Sequence, residues 1–279
     1  MLRIHGWLGL AIIVASEILL FSGVSFVRTF FTPLVWSGYI LFVDSLVYRG
    51  KGRSLIVNRP REFILLLPLS VGFWLVFEFY NLFLRNWHYV GLPEEWPLRL
   101  LGYGWAFATI WPAILETAEV LESWKGISAR RVRPWKIRKG FLLLSLSFGS
   151  LCLVLPFIVP ADVAHYLAGP VWVGFIFLLD PMQYWRGGDS LLAGFERGNP
   201  GRFYSLLLSG LLCGVLWEFW NYWAGARWYY TVPIVGHIKI FEMPVLGYLG
   251  FPPFAVECFT MYAFVKSFFS ADSADGKKE

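Results

Sequence analysis

Seven carboxylates stand inside apolar runs of this chain: Glu17, Asp44, Glu78, Glu116, Asp180, Glu218 and Glu257. No Lys or Arg lies deep in any of those runs to pair with them. An acid surrounded by hydrocarbon is expensive and marks function by default. Deprived of solvation, it either keeps its proton, which it can then deliver, or holds a positive charge. Proton transfer and cation stabilisation are therefore the chemistries to look for.

The acids come with repeated neighbours. Phe77-Glu78-Phe79-Tyr80-Asn81 returns as Trp217-Glu218-Phe219-Trp220-Asn221, and Trp87-His88-Tyr89 returns as Trp228-Tyr229-Tyr230. Pro112 precedes Glu116 by four residues, as Pro253 precedes Glu257. Val35-Trp36-Ser37-Gly38-Tyr39, ending in Asp44, is matched by Val171-Trp172-Val173-Gly174-Phe175, ending in Asp180. Shared hydrophobicity does not align acids, so the chain reads as an internal duplication. Glu17 has no counterpart and is either an asymmetric functional acid or a hydrogen-bonding residue between helices. Helix-to-helix bonding without chemistry is open to the other acids too.

Helical spacing puts Glu78 with Asn81, and Glu218 with Asn221, on shared faces, where the amide would orient the acid. Pro112 and Pro253 each remove a backbone donor and should loosen the turn above Glu116 and Glu257. If the halves pack about a two-fold axis, Glu78, Glu116, Glu218 and Glu257 would meet in one cavity as acids or bases. Aromatic residues make up 19% of the chain, and Trp74, Tyr80, Trp217, Trp220, Trp87 and Trp228 gather around the acids as expected substrate contacts. Ring faces stabilise cations without capturing them, which suits a carbocation in a greasy pocket. A cation permeation path would call for a more polar lining.

The elements that must position these groups follow from composition. Hydrophobic residues reach 57% and charged ones only 15%, with mean hydropathy +0.57; a soluble domain of this length carries more charge. Apolar runs near 7–27, 30–47, 62–83, 99–121, 140–160, 165–185, 202–223 and 244–267 each suffice for a bilayer. The fold expected is all-α: a polytopic helical membrane protein of about eight transmembrane helices in two parallel four-helix repeats. The repeats are 1–122 and 140–268, joined by a basic linker, 123–139, and followed by a disordered tail, 269–279. The first run lacks a signal-peptide cleavage site and is kept as a helix.

With the N-terminus inside, all but five of the 24 Lys and Arg fall in cytoplasmic segments; the five are Arg28, Arg85, Arg99, Arg227 and Lys239. The positive-inside rule thus places both termini in the cytoplasm, with the cytoplasmic (inner) membrane as the expected location. The net charge of +5 implies anionic membrane lipids as partners rather than nucleic acid. The loops carrying Arg49 and Arg53, and Arg186, combine glycine with cations. They are expected, beside Asp44 and Asp180, to contact a substrate headgroup such as a diphosphate, or to serve only as interfacial charge. Cys152, Cys213 and Cys258 fall in helices and read as packing residues. His88, His165 and His237 lack metal-ligand spacing, so neither metal nor cofactor is expected.

Trp217-Glu218-x-x-Asn221, then Trp228-Tyr229-Tyr230, then Pro-containing sequence and an acid, resembles the membrane-embedded lycopene cyclases. That family shows a duplicated Trp-Asp…Trp-Tyr…Pro-x-Glu-Glu pattern; membrane terpene cyclases similarly carry Trp-Glu in a membrane helix. In this chain Pro253 is followed by Phe254-Ala255-Val256-Glu257, and the resemblance covers mainly the third and fourth helices of each half. It implies that Glu78 and Glu218 match the first acid and Glu116 and Glu257 the last. It also implies cofactor-independent, acid-catalysed cyclisation, isomerisation or hydration of an apolar isoprenoid through a carbocation. The alternative is a proton- or cation-coupled transporter, because paired repeats with midplane acids also build carriers.

Overall fold

In a computed structural model the chain is predominantly helical, and the structure describes residues 1–275, with side chains through residue 269. Helices α1 (Ile4–Phe21) and α2 (Ser25–Lys51) form a hairpin. Short α3 (Leu55–Asn58) leads into α4 (Pro60–Leu84), which opens on proline and ends where Arg85 turns into the left-handed region. Strand β1 (Trp87–Val90) follows, then α5 (Trp96–Ala108) and α6 (Ile110–Glu122). The linker holds one turn of helix, α7 (Lys125–Ser128).

Helix α8 (Lys139–Ile158), short α9 (Ala161–Ala164) and α10 (Ala168–Trp185) come next. Then come short α11 (Leu191–Glu196), α12 (Gly201–Trp223) and strands β2 (Arg227–Tyr230), β3 (Lys239–Ile240) and β4 (Met243–Pro244). A 3-10 turn, Val245–Gly250, precedes α13 (Phe251–Asp275). Helix α13 enters the segment expected as a tail, whose remainder, 276–279, lies outside the described residues.

Among the described residues six helical stretches are long and apolar enough to cross a membrane: α1, α2, α4, α5 with α6, α8 and α12. In hydrocarbon only a helix satisfies every backbone group within its own segment. Large apolar side chains also face outward, Trp7, Val14 and Ile18 on α1, Leu75 and Leu82 on α4, Leu144 and Leu151 on α8. Water would penalise such surfaces and lipid does not. This is a multi-pass membrane protein.

Two helix pairs approach closely through glycine. A Cβ on Gly9 would lie 2.4 Å from Gly38 O, which seats α1 against α2; a Cβ on Gly149 would lie 2.8 Å from Gly174 O, which seats α8 against α10. Small residues let backbones meet where no hydrophobic force separates lipid from protein. The core between the pairs is aromatic, with Trp111, Phe77 and Phe254 almost completely buried. Cys152, Cys213 and Cys258 are buried and free. Trp111 Nε1 donates to Cys258 O at 2.9 Å, joining α6 to α13.

The fourth run is broken. Helix α5 stops at Ala108 and α6 restarts at Ile110, so Pro112 stands in a first turn, where its missing N–H has no bond to make. Pro253 is likewise the third residue of α13. The expected loosening above Glu116 and Glu257 is therefore absent: each proline starts a helix rather than weakening one. Ser70 closes the break, donating to Phe107 O at 2.5 Å and accepting from Trp111 N at 3.1 Å.

Candidate functional site

Strands β1 and β2 pair antiparallel, with Trp87 opposite Tyr230, His88 opposite Tyr229 and Tyr89 opposite Trp228. Alternation along a strand sends Trp87, Tyr89, Trp228 and Tyr230 to one face of this ribbon. His88 and Tyr229 go to the other, where their rings stack at 6.0 Å. The first face meets the outlying ends of α4 and α12, which carry Glu78 and Glu218.

Glu78 Oε1 accepts three hydrogen bonds: from Trp74 Nε1 at 2.8 Å, Trp87 Nε1 at 3.1 Å and Tyr89 Oη at 2.5 Å. Glu218, fully buried, is treated differently. Its Oε1 accepts from Tyr230 Oη at 2.7 Å, and that hydroxyl accepts in turn from Trp228 Nε1 at 2.7 Å. Glu218 Oε2 has no hydrogen-bond partner among the described residues. The position of Trp74 in the first half is held by Gly214 in the second, against which Phe251 packs. One indole donor is thus lost near Glu218.

The asparagines do not orient these acids, contrary to the spacing argument. Asn81 Nδ2 donates to Trp87 O at 2.8 Å and its Oδ1 accepts from Asn86 N at 2.9 Å. Asn221 Nδ2 donates to Trp228 O at 3.0 Å and its Oδ1 accepts from Trp228 N at 3.0 Å. Each helix ends within a turn of its asparagine, and the chain leaving it has peptide groups in need of partners. The amides meet that need and so hold the ribbon, which in turn presents Trp and Tyr to the acid.

An aromatic cavity of about 110 Å³ lies against the ribbon. Trp74, Trp87, Trp217 and Trp228 line it as expected, joined by Tyr89, Tyr230, Trp36, Phe107, Trp172 and Phe254. Trp74 and Trp217, from the two halves, lie 6.3 Å apart by ring centroids. Tyr89 and Tyr230 face the cavity while Glu78 and Glu218 stand one layer behind them. Burial pushes both tyrosine hydroxyls well above their usual range. They stay protonated donors. The Trp-x-Tyr repeat with strand alternation is the sequence signal for these two residues, which were not among the expected site residues.

The other acids lie elsewhere. Glu78 is six residues from the ribbon end of α4, and Glu116 six from the opposite end of α6. At ~1.5 Å per residue each is about 9 Å inside its own end, so their depths differ. Glu116 is buried beside Asp44, to which His5 Nε2 also comes within 3.0 Å. Glu257 accepts from Phe175 N at 3.3 Å. The expected meeting of four glutamates in one cavity is not observed.

Asp44 and Asp180 are turned onto backbone rather than substrate space. Asp44 accepts from Ser54 Oγ and Ile56 N, both at 2.8 Å. Asp180 accepts from Leu191 N at 2.7 Å and Leu192 N at 3.0 Å. Each holds the start of a short helix, α3 or α11, whose first N–H groups have no helical partner. Arg49, Arg53 and Arg186 are exposed, and Arg186 lies over the rings of Phe264 and Phe268. No headgroup site forms from these five. Tyr80 donates to Leu153 O at 3.0 Å, and Trp220 Nε1 to Glu17 Oε1 at 3.2 Å. Neither lines the cavity; both tie helices together, which gives Glu17 its role.

At the end opposite the ribbon lies a second, polar cleft. Arg59 pairs with Glu119 at 2.7 Å, Arg202 with Glu122 at 2.7 Å and with Asp189 at 3.2 Å, and Lys266 with Glu62 at 2.5 Å. Compared with protein-family models, curated proteins and solved structures, the chain matches none.

Proposed function

We infer that this protein is a membrane enzyme that passes a proton into, and takes one out of, an isoprenoid held in the aromatic cavity. The unequal hydrogen bonding of Glu78 and Glu218 carries the reading. Three donors converge on one oxygen of Glu78. Glu218, with one donor and a bare second oxygen, suits the neutral acid. Tyr230 stands between Glu218 and the cavity: when its hydroxyl turns from Glu218 Oε1 to a substrate double bond, it gives its proton to the alkene carbon and takes one from Glu218. The positive charge then develops among ring faces. Loss of a proton to Tyr89, which passes its own to Glu78, completes a cyclisation or isomerisation; capture of water, with the water's proton lost to the same pair, completes a hydration; and the proton on Glu78 returns to Glu218 by exchange with solvent before the next turnover.

The proposal includes the membrane arrangement: eight spans, with α10 and α13 as the additional two, in two parallel four-helix repeats with both termini in the cytoplasm. The cytoplasmic membrane is the location that the basic loops favour, and anionic lipids are the partners of the linker arginines. Supporting the repeat are the matched bonds of Asn81 and Asn221, the matched starts of α6 and α13, and the self-complementary ribbon.

Mass spectrometry of isoprenoid lipids from cells expressing wild type, Glu78→Gln and Glu218→Gln tests the function. A product made by wild type and lost in Glu218→Gln is expected. Identical lipid profiles in a host supplied with several polyenes would sink the enzyme reading. A carrier remains the second reading because a polar cleft opens at the end opposite the cavity; electrogenic flux in proteoliposomes would establish it.

A further inference from the structure

Trp36 and Thr32 line the aromatic cavity, and one buried polar atom of each, Trp36 Nε1 and Thr32 Oγ1, has no partner among the described residues. They are one turn apart on α2, and both residues are buried, Trp36 at 3% exposure and Thr32 at 8%. Leaving such a group unbonded is costly, of order 1–3 kcal/mol.

Thr32 does not take the usual local remedy. A threonine in a helix bonds the carbonyl four residues back, as Thr117 bonds Ala113 O and Ser37 bonds Pro33 O. For Thr32 that carbonyl is Arg28 O, which already accepts from Gly225 N at 2.9 Å. The helix is also distorted at Phe30, just before Pro33. Trp36 is wedged edge-on against Trp220 and Tyr39, with ring centroids 5.0 and 5.1 Å away.

We propose that the cavity recognises an apolar ligand carrying one oxygen function, whose oxygen accepts from Trp36 Nε1 and shares a hydrogen bond with Thr32 Oγ1. An indole N–H can only donate, so the complementary group presents a lone pair: an alcohol, ether or carbonyl. Most of the lining is ring and hydrocarbon and takes the apolar body of the ligand. This deepens the isoprenoid reading and rests on it for the fate of the ligand, although binding itself can be measured without turnover.

Native mass spectrometry of the detergent-solubilised full chain, with farnesol or the hydroxyl-free farnesene as probe, tests it. Wild type is expected to retain farnesol about tenfold more strongly, the value of one hydrogen bond of ~1.4 kcal/mol. Thr32→Val, which keeps the side chain's shape, and Trp36→Phe should each reduce that preference; Trp36→Phe also trims the cavity wall and should weaken binding of both probes, so the ratio of farnesol to farnesene retention is the readout. Equal binding of both probes by wild type, binding of neither, or a preference that survives both substitutions overturns the proposal. A farnesol preference in a protein whose expression changes no isoprenoid leaves this inference standing and removes the catalytic one. Turnover with no preference between probes does the reverse.

Discussion

Tyr230 and Glu218 are joined at 2.7 Å, and of the two only the tyrosine borders the cavity. A proton moving between Glu218 and a bound molecule therefore has to cross the phenol. Tyr230→Phe removes the relay and leaves the ring. Turnover should fall by about 10²–10⁴-fold, the usual worth of a positioned acid. Glu218→Gln should fall as far, and the double variant no further, because the two act as one unit. Product formation measured in membranes of all three checks this; additive losses would separate their roles.

The asparagines give a stability prediction that spacing alone did not. Asn221→Ala strips Trp228 N and Trp228 O of their partners and should destabilise by about 1–3 kcal/mol. Asn221→Asp can still accept from Trp228 N but cannot donate to Trp228 O, so it should not recover the loss. Asn81→Ala should behave alike at Trp87. Thermal midpoints in detergent read the effect. Unchanged midpoints, with activity alone lost, would return the asparagines to the acids.

Alkaline pH should weaken the fold through Tyr89 and Tyr230. An unfolded tyrosine loses its proton near pH ~10, whereas the folded hydroxyls hold theirs to higher pH because they are buried beside Glu78 and Glu218. Above pH ~10 the unfolded chain binds fewer protons, so stability falls as pH rises toward the folded values. Below that the two states bind alike and the pair adds no slope. The midpoint should drop above pH ~10, and the drop should be shallower in Tyr89→Phe/Tyr230→Phe.

Close packing at Gly9 is open to a simple comparison. A Cβ there lies 2.4 Å from Gly38 O and 2.7 Å from Phe42 N, so Gly9→Ala must push α1 from α2. Overpacking of this kind costs about 1–3 kcal/mol. Gly72 on α4 has nothing within 4 Å of its added Cβ. Gly72→Ala should be neutral or mildly stabilising, by up to ~1 kcal/mol. Yields and melting of the two variants decide it.

Hydropathy located the spans well: the runs at 62–83 and 202–223 are α4 (Pro60–Leu84) and α12 (Gly201–Trp223) within two residues at each end. Duplication made the acids stand out, and Glu78 and Glu218 do flank one cavity through their tyrosines. What the sequence did not convey was direction. A helix apolar on most sides carries little periodicity to say which way Asn81 or Tyr80 points. Depth was misjudged for the same reason: Glu116 was grouped with Glu78 by its recurrence, though counting from the helix ends separates them. The break at Thr109 stayed hidden because a proline reads alike as a kink and as a start.

The two-stranded ribbon is self-complementary in its register. Trp87 and Trp228 are counterparts, as are Tyr89 and Tyr230, and the ladder sets each Trp opposite the other half's Tyr. That is the ladder a half-length chain would form with a second copy of itself, its dyad passing between His88 and Tyr229. The covalent link between halves runs at the far end of the bundle, so the ribbon owes nothing to it. Cut between residues 123 and 139, the two fragments would still meet along this seam when made together, and only a pair so joined would complete the cavity.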